Sequence, residues 1–216
     1  MSRKKDSRRP APQKGTPRPV AVFRFGEMSR RILTALFPAV AVVSGLYYTL
    51  PMEALIEETG LPLDAGYIPL VFARSLLEYG AYSFHATDMI TSGALAPLQV
   101  LLLAGIGLFT SDGISASFVL GITSFAVMAA LTFRLGLLLF PDRQWLAACA
   151  ALVIALAPRL GSASVAGVPT MLFTALILAS ATAYFARRSV LFFLFAGLAL
   201  WVKPDALLFL LAAILH

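Results

Sequence analysis

Charged residues are scarce in this sequence: they make up 13% of its 216 residues. A soluble globular domain usually has about 25% charged residues, so this chain has too few to cover a surface that faces water. Cysteine occurs once, as Cys149 within an apolar run, which excludes an internal disulfide and a thiolate metal cluster. Polar segments are also few, and residues 63–100 form the only long polar-containing segment between apolar runs.

Apolar residues fill most of the chain, at 59% of the sequence. Several of the apolar runs are continuous and long enough to span a bilayer, where only helices or closed barrels satisfy their backbone groups. A barrel would show short segments of alternating polarity, which this sequence does not have. The predicted fold class is therefore all-α, a polytopic bundle of transmembrane helices.

The positive charge is concentrated at the start of the chain. The formal net charge is +6, and ten of the 17 lysines and arginines lie within residues 1–31. Interleaved prolines such as Pro10 and Pro12 predict a disordered basic tail. Such an arm can bind RNA or anionic lipid, but the positive-inside rule explains it more simply as a cytoplasmic segment. We therefore expect the N-terminus in the cytoplasm, the protein in the cytoplasmic (inner) membrane, and no nucleic-acid partner.

The first predicted span covers residues 32–50, and residues 51–113 form an acid-rich extracytoplasmic loop. Within that loop, residues 95–109 would cover only about 22 Å as a helix, short of the ~30 Å hydrocarbon core. We predict an interfacial helix there, because the later arginines then fall on the cytoplasmic side. The further predicted spans are residues 114–139, 144–157, 169–186, 190–202 and 206–216.

A second juxtamembrane helix is predicted over residues 67–79, where apolar side chains recur at helical spacing and Gly80 follows as a stop signal. Asp64 comes just before this helix. A carboxylate in that place is most simply a helix cap, which contributes about 1 kcal/mol. The functional interpretation is a carboxylate exposed at the membrane surface.

Three segments resemble one family of membrane enzymes. The first carries the pattern Asp-x-x-Tyr-Ile, then Ala-Arg-x-Leu-x-x-x-Gly, then Pro-Leu, and the residues that match are Asp64, Tyr67, Ile68, Ala73, Arg74, Leu76, Gly80, Pro97 and Leu98. The second is residues 167–173 (GVPTMLF), and the third is residues 203–205 (Lys-Pro-Asp). Together they resemble the first part of the C-type polytopic glycosyltransferases. These polyprenyl-phosphate-sugar enzymes are related to protein O-mannosyltransferases and bacterial lipid A aminoarabinose transferases.

The sequence also departs from that family. Ala65 stands where members often have a second acid, Pro169 where they have a glutamate, and Lys203 where they have an arginine. Lysine keeps the charge but loses bidentate contact with phosphate. The resemblance covers residues 32–216 and implies the N-terminal portion of a longer enzyme, a truncated product, or a degenerate relative.

The resemblance implies transfer of a sugar from a polyprenyl-phosphate donor to an extracytoplasmic glycan, lipid or protein. Asp64 is the expected general base, and Arg74, Lys203 and Tyr67 are the expected substrate-binding residues. Two of these residues have a simpler alternative: Arg74 as a snorkelling surface residue, and Lys203 as the ion-pair partner of Asp205. Arg159 is a further candidate for contact with the phosphate.

No metal ligand is predicted, although a divalent metal held by Asp64, His85 and Asp88 is a weaker alternative. Two other functions are also considered. The first is a non-catalytic membrane protein, either a degenerate relative or a half-module that needs a partner chain. The second is a small transporter, which ranks third because the interiors of the predicted spans carry almost no charge.

Overall fold

The computed structural model describes residues 25–49, 60–84, 93–110 and 112–215. These residues form helices and loops and contain no β-strand, which confirms the all-α prediction for this part of the chain. A short 3₁₀ turn lies at Asp64–Gly66. The α-helices are α1 (Glu27–Tyr47), α2 (Tyr67–Tyr79), α3 (Pro97–Gly107), α4 (Gly113–Leu139), α5 (Gln144–Leu156), α6 (Pro158–Ser164), α7 (Thr170–Phe185), α8 (Ser189–Val202) and α9 (Ala206–Leu215).

Helix α4 is the centre of the fold. Its 27 residues extend over about 40 Å, and it contacts α1, α2, α3, α5, α6 and α7. Asp112 caps its start, because the carboxylate accepts hydrogen bonds from the backbone N–H groups of Ile114 and Ser115 at 3.0 and 3.1 Å. The side-chain hydrogen bond from Ser115 is the main reason why the pKa of Asp112 lies below its usual value.

The core combines aromatic rings with small residues. The rings of Phe37 on α1 and Phe133 on α4 lie 5.1 Å apart, and buried alanines of α5 pack beside them. Gly136 of α4 lies so close to α5 that an added Cβ would stand 2.6 Å from the Cβ of Ala147. Small residues at helix contacts allow such close approach, as is common where helices pack within membranes.

Helices α1 and α4 are each long and apolar enough to cross a membrane. Helices α5 and α6 meet at a 55° bend and together could form a third span. Large apolar side chains also face outward on several helices: Val43, Val153 and Val190 are 67%, 69% and 79% exposed. Such a surface is unfavourable in water and is consistent with membrane association.

The observed helices differ in detail from the predicted spans. Helix α1 begins at Glu27 and ends at Tyr47, whereas the span was predicted over residues 32–50. Helices α7, α8 and α9 lie at the last three predicted spans, but they have 16, 14 and 10 residues, fewer than the ~20 of a typical spanning helix. That these three cross a membrane therefore stays a prediction. Most of the predicted basic tail lies outside the described residues.

Helix α6 was not predicted. The predicted span over residues 144–157 is followed directly by this short helix, which begins at Pro158. Proline disfavours helical backbone in the residue before it, and Ala157 is accordingly extended, with φ −66° and ψ 114°. The chain therefore turns at Ala157 and continues across α4 as α6.

The helices give the fold two distinct ends, which we name the Gly113 end and the Leu139 end after the limits of α4. The first turns of α1 and the loop between α7 and α8 lie at the Leu139 end, since Arg30, Arg134 and Arg188 line one cavity. The loop between α6 and α7 lies at the Gly113 end.

Replacement of Gly121 by alanine tests the packing of α4. An added Cβ at position 121 would overlap the backbone carbonyl oxygen of Ser164 in α6, and backbone cannot move aside as a flexible side chain can. We expect Gly121→Ala to destabilise the protein by about 1–3 kcal/mol, the usual cost of overpacking. The measurement is the thermal unfolding midpoint of the purified chain in detergent.

Gly197→Ala is the matched control, because Gly197 lies in α8 with no atom within 4 Å of an added Cβ. That change should raise stability by about 0.5–1 kcal/mol, since alanine favours helix over glycine. Equal midpoints for the two variants would contradict the close contact between α4 and α6.

Candidate functional site

The turn that carries Asp64 lies directly against the loop between α6 and α7. Gly66, the last residue of the turn, is buried, and an added Cβ there would stand 2.5 Å from the carbonyl oxygen of Ala166 and 3.2 Å from the Cα of Gly167. No side chain fits between the two backbones. Two of the three segments that define the family resemblance, residues 64–68 and 167–173, are therefore in contact.

Gly167 is the second glycine that this contact requires. Its φ of +75° is in the left-handed region that favours glycine. An added Cβ would also stand 2.7 Å from the Cδ1 of Leu61 and 3.2 Å from the Oγ of Ser117. Position 167 therefore excludes a side chain for reasons of both conformation and space.

A buried hydrogen bond holds helix α3 against the same loop. The side-chain amide of Gln99 donates from Nε2 to the carbonyl oxygen of Gly167 over 2.8 Å. The Oε1 atom of Gln99 and the Oγ of Ser117 are buried without hydrogen-bond partners among the described residues, and both residues line a cavity of about 10 Å³. A space of that size suits one water molecule, which could bridge the two oxygens.

Asp64 is exposed, and its carboxylate accepts no hydrogen bond from the residues that the structure describes. The simpler alternative for Asp64, a cap on the following helix, is wrong. Leu63 and Gly66 occupy the N-cap positions of the 3₁₀ turn and of α2, and neither helix start has a side-chain cap. The carboxylate is therefore open to a solute at the Gly113 end.

Tyr67 has a structural contact that the sequence did not indicate. Its hydroxyl oxygen accepts a hydrogen bond from the backbone N–H of Leu61 over 2.8 Å. This bond closes the chain around the Asp64 turn and fixes the start of α2. The Tyr67 side chain is still 37% exposed, so its predicted contact with substrate stays a prediction.

Arg74 pairs with Glu78 one turn further along α2. Its Nε donates to the Oε1 of Glu78 over 2.6 Å, and this hydrogen bond is the main reason why the pKa of Arg74 is raised above its usual value. Both residues line a cavity of about 540 Å³ between α2, α3 and the start of α4, together with Tyr67 and Asp112. Asp64 does not line this cavity.

Lys203 contacts the second segment of the resemblance. Its Nζ lies 5.8 Å from the centre of the Phe173 ring, within the range of a cation–π contact. It forms no ion pair with Asp205, so that alternative interpretation is wrong. The ammonium group of Lys203 is therefore not neutralised by a carboxylate among the described residues.

The predicted site residues thus form two groups. The Asp64 turn and Lys203 both contact the stretch from Ala166 to Phe173, whereas Arg74 lies on α2 beside a separate cavity. Arg159 is exposed on α6 and takes no part in these contacts. We call the Asp64 turn, residues 166–173 and Lys203 the candidate site.

A metal site is not seen in the part of the chain that the structure describes. There, no group of three or more histidine, cysteine, aspartate or glutamate side chains is close enough together to hold a metal ion. His85 and Asp88, the two residues considered with Asp64 for such a site, lie outside the described residues.

Comparison with known proteins assigns no family to this chain. No family model matches the sequence, and neither the curated proteins nor the solved structures contain a significant match.

Replacement of Gln99 by leucine tests how the loop is held. The substitution removes a buried hydrogen bond and leaves the carbonyl oxygen of Gly167 unpaired, which costs about 1–3 kcal/mol. We expect faster hydrogen exchange at the backbone amides of residues 61–67 and 166–168, measured by mass spectrometry of peptide fragments.

Gln144→Leu is the control, because Gln144 is also buried and hydrogen-bonded but contacts Phe25 and Pro141 at the Leu139 end. In the Gln144→Leu variant, hydrogen exchange should become faster near Phe25 and Pro141 instead. The same exchange pattern in both variants would mean that Gln99 supports the whole fold and does not specifically hold the candidate site.

Proposed function

We propose that this protein is a glycosyltransferase-like integral membrane protein, which transfers a sugar from a polyprenyl-phosphate donor to an extracytoplasmic acceptor. One observation carries the proposal: the turn of Asp64 lies against Gly167, about a hundred residues away in the sequence. These are the first two segments of the family resemblance. The contact between Lys203 and Phe173 adds the third segment to the same region.

The proposed reaction is a displacement at the anomeric carbon of the sugar. A hydroxyl of the acceptor glycan, lipid or protein attacks that carbon, and the bond from the carbon to the phosphate oxygen breaks. The phosphate leaves with the electron pair as polyprenyl phosphate, and Asp64 takes the proton of the hydroxyl as general base. An exposed carboxylate suits this role when no donor among the described residues competes for it, as is the case for Asp64.

Cationic side chains would stabilise the leaving phosphate. The ammonium group of Lys203 is the first candidate, because no carboxylate among the described residues pairs with it. Arg74 is the second, although its hydrogen bond with Glu78 would have to be shared with or given up to the donor phosphate. The exposed part of the Tyr67 ring would pack against the sugar or the lipid.

The distribution of charge supports one orientation in the inner membrane. The described arginines at the Leu139 end are Arg30, Arg31, Arg134, Arg143, Arg187 and Arg188. The positive-inside rule assigns an end rich in arginine to the cytoplasm. The N-terminus would then be cytoplasmic, and the candidate site would lie at the outer leaflet, where a lipid-linked donor presents its sugar.

A non-catalytic relative, or a half-module that needs a partner chain, is the second candidate function. Pro169 favours it, because this residue occupies the N-cap position of α7 and supplies no acid where the family has a glutamate. Ala65 likewise leaves Asp64 without an adjacent acid. A sugar-transfer assay distinguishes these two candidate functions.

Labelling of single cysteines tests the orientation. In a Cys149→Ala background, Ser162→Cys places a thiol at an exposed position of α6 at the Gly113 end, and Ser189→Cys places one at an exposed position of α8 at the Leu139 end. We expect a membrane-impermeant maleimide to label position 162 in intact cells and position 189 only after permeabilisation. The reverse pattern would overturn the proposed orientation.

Substitution of Asp64 tests the reaction. Membranes that contain the wild-type chain should transfer sugar from a labelled polyprenyl-phosphate donor, and Asp64→Asn should slow transfer by about 10²–10⁴-fold, the usual contribution of a general base. The measurement is labelled product formed per amount of inserted protein.

Asp112→Asn is the matched control, because it removes a carboxylate at the same end of the fold while asparagine still caps a helix well. It should leave transfer close to the wild-type rate. A folded and inserted wild-type chain that transfers no sugar from any donor would refute catalysis by this chain alone and favour the half-module.

A further inference from the structure

A long apolar groove lies on the side of the fold formed by α4, α7 and α8. It has a volume of about 790 Å³. Aliphatic side chains such as Leu131, Leu138 and Leu176 line most of its length. In a membrane protein, a groove lined by apolar side chains matches the polarity of a lipid acyl chain.

Three arginines line this groove at the Leu139 end. Arg30 comes from the first turn of α1, Arg134 from the last part of α4, and Arg188 from the residue before α8. Three separate elements therefore bring their positive charges to one cavity. Among the described residues that line it there is no aspartate or glutamate.

The three guanidinium groups have no anionic partner in the described part of the chain. None of them forms an ion pair or a hydrogen bond with the residues that the structure describes. The Nε of Arg30 is moreover buried, with no hydrogen-bond acceptor in the described part of the chain. Burial of an N–H donor without an acceptor costs free energy. An acceptor on a molecule outside the chain would remove that cost.

We propose that the groove binds one anionic phospholipid, with its phosphate on Arg30, Arg134 and Arg188 and an acyl chain along α4 and α7. Guanidinium groups bind phosphate oxygens through paired N–H donors, and basic pockets between helices on the cytoplasmic side of a membrane bind anionic lipid headgroups. The adjoining apolar length of the groove favours a lipid over free phosphate.

The arginine end of this groove is separate from the candidate site, although Leu172, within residues 166–173, lines the apolar part of the groove. Asp64 and Lys203 do not line the groove, and the contacts of their segments are at the Gly113 end of α4. The inference requires a membrane environment and the proposed cytoplasmic placement of the Leu139 end. It does not require sugar transfer, so a chain without activity would still bind the lipid.

Lipid binding by the purified full-length chain in detergent tests the site. Native mass spectrometry with phosphatidylglycerol should show one lipid retained per chain, with much weaker retention of phosphatidylcholine that has the same acyl chains. The double variant Arg134→Gln, Arg188→Gln should weaken phosphatidylglycerol binding by about tenfold or more, since each arginine contributes to headgroup attraction.

The matched control is Arg31→Gln, Arg143→Gln, which removes the same charge from exposed positions at the same end that do not line the groove. It should change binding by less than about threefold. Equal weakening in both double variants, equal retention of the two lipids, or displacement of the lipid by inorganic phosphate at millimolar concentration would each overturn the proposal. Because this assay uses neither an intact membrane nor a sugar donor, its result is independent of the tests of orientation and transfer.

Discussion

The close contact between Gly66 and the loop at Ala166–Gly167 is the constraint on which the candidate site depends. It is a contact between two backbones: a methyl group at Gly66 would collide with the carbonyl oxygen of Ala166, and one at Gly167 would stand 3.1 Å from the Cα of Gly66. Gln99 reinforces it, because its amide binds the carbonyl oxygen of Gly167 from helix α3. The contact holds the turn in place and leaves the Asp64 carboxylate exposed.

Helix α4 separates two kinds of chemistry. At its Gly113 end, the Asp64 turn contacts the loop between α6 and α7, and the Lys203 ammonium group lies near Phe173 in the first turn of α7. At its Leu139 end, arginines from several elements surround an apolar groove. In a membrane, such a division would place the proposed reaction on one side and the proposed lipid headgroup on the other, with the apolar body of the protein between them.

The helical fold class and the positions of most helices could be predicted from the sequence, because continuous apolar runs and stop signals such as Gly80 are local features. The helix start at Asp112 carried a readable signal as well, an aspartate directly before an apolar run. Two contacts had no such signal in the sequence: the hydrogen bond between the Tyr67 hydroxyl and Leu61, and the contact of Gly66 with Gly167. They depend on how distant segments pack, and glycines in a sequence do not show which backbone they will meet.

The most direct test of the candidate site is a nuclear Overhauser measurement on the chain in detergent micelles, with glycine selectively labelled. An added Cβ on Gly66 would stand 3.2 Å from the Cα of Gly167, so the α-protons of the two glycines should be close enough for a strong cross-peak. That cross-peak, between residues about a hundred positions apart, is the predicted result. Its absence from a spectrum that shows the helical contacts of α4 would contradict the packing of the Asp64 turn against the second segment, and with it the observation that carries the proposed function.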